Sequence, residues 1–380
     1  MSEEKLCKRC GGDLRLRGTE YRCPTCRNAM DRARAAERKA ARSGWSPAHS
    51  MTKTVPEGFH VKGVSTLYGA DGAVAAQWVK SSKDKDNLDT LMEAIQSIAD
   101  PLRGEAKPIK SPKVADEDLL VVIPFGDPHF GLHAWHEESG EDFDLKIAER
   151  DLVSAMDEMM RVSPHAKQAL IISCGDMFHS DSNAGTTTKG TKVDVDSRWP
   201  KILSVGIRAM RYCIDAALKK HEHVTFVPVC GNHDAHTSLV LGLCLQAFYE
   251  REPRVEIDVQ PGRYHYYRFG NCLIGMTHGD TVKKEQLPGI MAFDRKEDWG
   301  QTEHRTWVTG HIHHETVKEF PGVTVESFRT LAARDAWNTM SGYRSGRDLR
   351  MDVYHRLDGR IDRHIVGIGR LRRSREERDM

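Results

Sequence analysis

No stretch of this chain approaches the ~18 to 20 uninterrupted apolar residues that a bilayer-spanning helix requires. The opening residues, Met1-Ser2-Glu3-Glu4-Lys5, also carry no apolar signal core. Both absences point to a cytoplasmic protein without a membrane partner. Net charge is nearly absent too, with 56 Lys and Arg against 55 Asp and Glu, so charge implies no partner for the molecule as a whole. There is no internal repeat, which excludes a solenoid, and no Gly-x-x-x-x-Gly-Lys loop, which excludes a P-loop ATPase on this chain. Cysteines are sparse beyond the N-terminus. Cys174, Cys213, Cys230, Cys244 and Cys272 stand singly in apolar contexts and read as buried thiols, because catalysis by one of them needs a partner base that the sequence does not point to.

What is present is ordinary for a globular protein: 380 residues, 39% apolar and 29% charged, enough for one substantial core with small appendages. Cys7-x-x-Cys10 and Cys23-x-x-Cys26 form two knuckles around a polar segment, in which Leu14–Arg17 and Glu20–Arg22 read as hairpin arms. Four thiolates satisfy tetrahedral zinc, and the binding energy of one structural zinc ion can fold a segment too small for its own core. The following stretch, Arg27 to Arg42, reads as a helix rich in Ala and Arg. It suits either contact with nucleic-acid phosphates or a solvated tether for the ribbon.

Residues 1–42 are therefore a zinc ribbon with a basic helix. Residues 43–101 are a linker followed by a hairpin-and-helix module. The hairpin is signalled by alternation from Phe59 to Leu67 and from Ala73 to Val79 around Gly69-Ala70-Asp71-Gly72, and the helix by Leu88, Leu91, Met92, Ile95 and Ile98. Residues 102–117, rich in lysine and proline, read as a second linker, and residues 371–380 as a basic, solvated tail. Between them, residues 118–370 form the main domain. Buried strands are expected over Leu119–Phe125, Ala169–Ser173 and Val224–Val229, alternating with helices over Ile147–Val162, Pro200–His221 and Leu239–Tyr249. After these, strands predominate: Val255–Val259, Tyr264–Phe269, Cys272–Met276, Trp307–Thr309, and a hairpin of Val317–Phe320 with Val323–Ser327. The class is α/β, turning to α+β in the second half.

Each expected strand end delivers polar residues behind a glycine or a threonine: Gly126-Asp127-Pro128-His129, Gly175-Asp176, Gly231-Asn232-His233-Asp234, Thr277-His278-Gly279-Asp280 and Gly310-His311-Ile312-His313. This is how open α/β sheets build sites. Seven side chains offer themselves as ligands: Asp127, His129, Asp176, Asn232, His278, His311 and His313. Mixed carboxylate, imidazole and amide donors suit a divalent transition metal. Seven are too many for one ion and enough for two if a carboxylate bridges, giving a pair ~3.5 to 4 Å apart that holds a phosphoryl oxygen. Manganese is the expected metal, with iron, zinc or magnesium as alternatives. His133 and His136 follow the first ligands and read either as substrate contacts or as part of a solvated loop. Arg334, Arg344 and Arg347 read equally as phosphate clamps or as structural ion pairs.

Asp-x-His, Gly-Asp, Gly-Asn-His-Asp, His and Gly-His-x-His in this order, over Leu119 to His314, resemble the calcineurin-like metallophosphoesterases. The resemblance implies a two-sheet β-sandwich flanked by helices. It implies Asp127, His129, Asp176 and His313 around one ion, and Asp176, Asn232, His278 and His311 around the other. It further implies His233 as proton donor to the leaving oxygen, with Asp234 holding its ring, and hydrolysis by metal-activated water without a phosphoenzyme. Gly175-Asp176-Met177-Phe178-His179 looks more like the SbcD-type DNA repair nucleases than like protein phosphatases. Two departures stand against that branch: those subunits work with an ATPase, expected here on a separate chain, and fewer than 70 residues follow His313, leaving little for a DNA-capping domain. The N-terminal ribbon is similar to those of nucleic-acid-handling phage proteins. The expected activity is thus a dimetal DNA nuclease of replication or repair, DNA being favoured over RNA, with a repair or replication protein, or a second copy of the chain, as further partners. The alternatives are a small-substrate phosphoesterase acting on cyclic nucleotides or monoesters, and an inactive nucleic-acid-binding adaptor.

Overall fold

The computed structural model describes residues 15–17, 20–22, 59–69, 74–83 and 99–379. Cys7, Cys10, Cys23 and Cys26, the expected helix 27–42 and the expected helix 88–98 lie outside the described residues. The chain divides into residues 1–94 and 95–380. In the first unit β1 (Arg15–Arg17) pairs antiparallel with β2 (Glu20–Arg22), and β3 (Phe59–Tyr68) with β4 (Val74–Lys83).

In the second unit β5 (Asp116–Phe125), β6 (Ala166–Ser173), β7 (His223–Pro228) and β8 (Val255–Ile257) run parallel. A second sheet contains β9 (His265–Phe269), β10 (Cys272–Met276), β11 (His304–Thr309), β12 (Thr316–Phe320) and β13 (Val323–Ser327) in the order β12-β13-β11-β10-β9. β14 (Asp348–His355) joins the first sheet antiparallel to β5, and β15 (Gly359–Gly367) lies outside it. The helices are α1 (His136–Ser139), α2 (Leu145–Val162), α3 (Trp199–Leu218), α4 (Ala235–Phe248), α5 (Leu287–Asp294), α6 (Lys296–Gln301), α7 (Ala336–Met340) and α8 (Ile368–Asp379).

β5 reads as a continuous apolar run because both of its faces are covered. Leu120 and Val122 cluster with Leu170, Ile172 and Val227 of the same sheet and with Ile274, Met276 and Val308 of the other. Val121, Ile123 and Phe125 point the opposite way, into the core formed with α2, α3 and α4. A third cluster, Leu273, Trp307 and Val325 with Leu287 and Met291, covers the outer face of the second sheet with α5. Two stacked sheets with helices outside are thus held by alternating side chains, each fully buried Leu, Ile or Val contributing about 1.5–3 kcal/mol. Local signals agree. Asp144 caps α2 by accepting from Ile147 N at 2.7 Å, and Pro200 occupies the first turn of α3.

Three stretches differ from the expectation. The residues read as a solvated tail belong to α8, in which Leu371 is buried and Arg375 reaches Asp151 at 2.7 Å. The 102–117 linker is fastened to the core: Gly104 N donates to Ala247 O at 2.8 Å and Arg254 to Ile109 O at 2.6 Å. β14 and β15 were not anticipated, because β14 carries Asp348, Arg350 and Asp352 at alternate positions and reads as polar. All three are buried in an ion-pair network, with Arg363 Nε 2.6 Å from Asp352 and Arg350 Nη1 2.6 Å from Glu315.

Arg347 belongs to the same kind of network. Its side chain is 7% exposed and lies 2.6 Å from Glu141 and 3.5 Å from Asp151, itself 1% exposed. It also donates to Leu331 O, one residue from Thr330, whose hydroxyl donates to Asp127 O at 2.6 Å. Of the two roles open for Arg347, these contacts describe the structural one. Arg347→Met is expected to cost about 3 kcal/mol in urea unfolding, the low end for a broken buried pair, since Arg375 still faces Asp151. Unchanged stability together with weakened substrate binding would instead mark it as a clamp.

Candidate metal centre

The side chains singled out by the sequence meet at one end of the two sheets. Asp127 and His129 follow β5, Asp176 and His179 follow β6, Asn232 and His233 precede α4, His278 follows β10, and His311 and His313 follow β11. The backbone at this end is unusual. Asp127, His129, Asp176, His311 and His313 have φ of 42°, 47°, 48°, 70° and 54°, and among the described residues no other non-glycine residue has positive φ. Left-handed backbone costs about 1–2 kcal/mol per residue, so strain is concentrated on five of the seven expected ligands. Two flanking glycines are demanded by close approach. A Cβ at Gly231 would lie 2.0 Å from Asp176 Oδ1, and one at Gly310 would lie 2.6 Å from Asp127 Oδ1.

Asp176 is the centre of the arrangement. Its Oδ1 accepts from His233 N at 2.8 Å, and its Oδ2 lies 3.2 Å from His278 Nε2. That nitrogen is also 3.0 Å from Asn232 Oδ1, while His278 Nδ1 faces Cys174 O at 2.9 Å. Asp176, His278 and His311 present ligand atoms within 4.8 Å of one another, as do His129, His179 and His233. His129 Nε2 is 3.0 Å from His313 Nε2, and His129 Nδ1 is 3.2 Å from His179 Nδ1. Asp127 Oδ1 accepts from His311 N at 3.0 Å, and its buried Oδ2 has no hydrogen-bond partner. The structure therefore brings Asp176, Asn232, His278 and His311 together, and His129 with His313. Asp127 lies on the His278 and His311 side.

The electrostatics follow from burial. Burial pushes the Asp127 carboxyl up to about 8, with nearby Asp176 adding to the effect and His278 opposing it. Burial alone would raise Asp176, but His278, His233 and His129 together hold it well below the usual carboxylate range. Burial opposes a charged His278, yet Asp176 and Asp127 hold it up to about 10. Burial lowers His179 to about 3 and His313 to about 4, and takes His129 well below its ordinary value, with neighbouring rings adding to it. These imidazoles are thus neutral donors at pH 7. A partnerless buried carboxylate oxygen, bare ring nitrogens meeting at 3.0 to 3.2 Å and mixed N and O chemistry fit divalent cations.

Other expectations are placed differently. The His233 ring is not held by Asp234; its Nδ1 donates to His179 O at 2.8 Å. Asp234 accepts instead from Gly231 N, Phe178 N and Ser238 Oγ at 3.0, 2.9 and 2.7 Å, tying the β6 and β7 loops together. His179 was seen only as part of a motif. Its spacing, three residues beyond Asp176, was the available signal. Thr330 had no sequence signal. His133 and His136 are exposed. Arg334 lies 3.3 Å from Ser139 O, and Arg344 bonds the carbonyls of its own loop, Thr339 and Tyr343. The five single cysteines are buried and free.

No protein-family model and no curated protein sequence matches the chain. Solved structures with some likeness include a single mutant of Vps29 from Entamoeba histolytica, at 14% identity over 66% of this chain and 99% of that one, with a TM-score of 0.28. They also include a predicted phosphoesterase from Streptococcus pneumoniae, at 10% identity over 66% and 91%, with a TM-score of 0.28, and PhoD, at 8% identity over 69% and 70%, with a TM-score of 0.31. The chemistry of the site rests on its own geometry.

Because Asp127 and His278 are both raised, they hold protons at pH 7 that a cation must displace. Titrating the metal-free protein with Mn²⁺ is expected to release at least one proton per chain at pH 7, read from calorimetry in buffers of different ionisation heat, and affinity should rise from pH 7 to 9. Binding without proton release would contradict the assignment. His311→Ala and His313→Ala should each leave one Mn²⁺ bound. Loss of both ions from both variants would contradict the division between them.

Proposed function

We propose that this chain is a divalent-metal-dependent phosphodiesterase of the calcineurin-like kind, acting on DNA with manganese as its working metal. The observation that carries the reading is the convergence of ligands from five loops on Asp176, with Asp176, His278 and His311 within 4.8 Å and His278 3.0 Å from Asn232. Two ions bound there would neutralise charge on a phosphoryl group and lower the pKa of an attacking water. The chain's own residues supply orientation and proton transfer. His233 is fixed at Nδ1 by the His179 carbonyl, which directs Nε2 towards the side where Asp176 Oδ2 lies, 4.0 Å away. An imidazolium in that pose gives its Nε2 proton to the leaving oxygen. Asp234 acts as a positioning residue, because its carboxylate sets the Gly231 and Phe178 amides and hence the loops bearing Asn232 and Asp176.

Support for DNA comes from the sequence: Cys7, Cys10, Cys23 and Cys26 at zinc-ribbon spacing and the arginine-rich stretch 27–42 share the chain with the candidate metal ligands. A separate ATPase or repair protein, or a second copy of this chain, belongs to the same reading as a partner.

With Mn²⁺ the purified protein is expected to hydrolyse bis(p-nitrophenyl) phosphate. Asp176→Asn should abolish turnover, and His233→Ala should lower kcat by about 10² to 10⁴ with bound metal retained. Full activity in both variants would sink the reading. Removing residues 1–94 should impair cleavage of DNA far more than cleavage of the aryl diester. Equal retention of both would favour the small-substrate alternative.

A further inference from the structure

Three large aromatic side chains stand in solvent on segments that border the metal centre: Trp135 at 54%, Trp337 at 61% and Tyr343 at 47% exposure. The segments are tied to the ligands and to each other. Leu132 N donates to His129 O, and Thr330 Oγ1 donates to Asp127 O. α1, which begins just after Trp135, packs against α7, which contains Trp337, and Arg334 donates to Ser139 O. Trp135 is six positions beyond His129, so its backbone lies within about 22 Å of that residue, the span of a few nucleotides.

The exposed rings are held rather than free. Trp337 and Tyr343 stack on each other, centroids 5.8 Å apart at 29°. Asp335 caps α7 by accepting from Asn338 N at 2.7 Å, and Tyr343 N donates to Asn338 O at 3.0 Å, closing the loop beneath the pair. Arg344 bonds the carbonyls of Thr339 and Tyr343 at 3.1 and 2.8 Å, which ties the loop back to α7. Other large apolar side chains are exposed too, Phe293 and Met340 among them, but among the described residues Trp337 and Tyr343 are the one pair of solvent-exposed rings stacked on each other. From Ala336 to Gly346 there is no acidic residue. The facing α1 carries Glu137 and Glu138, which disfavour a dense phosphate contact. Ring faces with one arginine and little net positive charge suit flat, neutral, stackable groups on an anionic strand, which are unpaired nucleobases.

Resting on the phosphodiesterase reading above, we propose that Trp135, Trp337 and Tyr343 form a stacking platform for unpaired bases of the nucleic-acid strand whose phosphate is presented at the metal centre. The platform makes the substrate single-stranded or frayed at the site of cleavage, and it contributes affinity through the stacked bases.

The test is binding of a labelled 12-nucleotide strand with cleavage-resistant phosphorothioate linkages to the full chain, read by fluorescence anisotropy. Trp337→Ala and Tyr343→Ala should each raise Kd about tenfold, the effect of losing one stacked base. Trp337→Phe should recover most of the loss, and an abasic strand of equal length, which can stack on none of the rings, should bind the unmodified protein more weakly than the intact strand binds Trp337→Ala. DNA and RNA strands run in parallel distinguish the sugar, and a blunt duplex should bind more weakly than either. An unchanged Kd in the alanine variants, abasic binding as tight as intact, or no binding of any strand would each overturn the platform. No turnover is needed. Failure to hydrolyse the aryl diester would sink the phosphodiesterase reading without deciding this one, and hydrolysis with base-independent binding would sink the platform alone.

Discussion

Everything at this site depends on a buried carboxylate that must be reached from two sheets at once. Asp176 takes a backbone amide of the β7 loop on one oxygen and the His278 ring, from the second sheet, on the other. A carboxylate held in this way, charged at full burial, costs several kcal/mol of desolvation unless every lone pair is matched. The matching comes from turns that few sequences adopt. Five of the seven candidate ligands sit in left-handed backbone, and the glycines before Asn232 and His311 are required because a methyl group there would strike a carboxylate. The strain is borne by the packed sandwich behind it, where alternate residues of β5 and β6 are locked on both faces.

That arrangement explains why His179 matters although it was not among the expected ligands. Its carbonyl fixes the His233 ring and its own ring meets His129, so one residue couples the His233 tautomer to the histidine cluster. Asp234 performs the complementary task through the backbone, joining the β6 and β7 loops by their amides. The two residues after Asn232 are therefore placed differently, the His233 ring beside the histidine cluster and the Asp234 carboxylate in the scaffold.

The parts legible in the sequence were those dictated by period and by local chemistry. β10 and β13 fall on the expected residues, and the candidate ligands, which the structure brings to one end of the sheets, stand out because glycine-flanked polar clusters recur at strand ends. The parts that were not legible depend on pairing between distant side chains. β14 hides behind Asp348, Arg350 and Asp352, whose burial makes sense only once Glu315, Arg360 and Arg363 are in place. α8 reads as a charged tail until Leu371 and the Arg375 pair with Asp151 are seen. The partner of His233 was misassigned to its sequence neighbour because a backbone carbonyl from another loop leaves no trace in side-chain identity.

The central claim is that these residues hold two metal ions close together, with Asp176 between them. Electron paramagnetic resonance of the Mn²⁺-loaded protein tests it most directly. The account predicts the spectrum of an exchange-coupled pair of Mn²⁺ ions, lost on Asp176→Asn. Only isolated, uncoupled Mn²⁺ signals at saturating metal, or a coupled spectrum that survives the loss of Asp176, would contradict it.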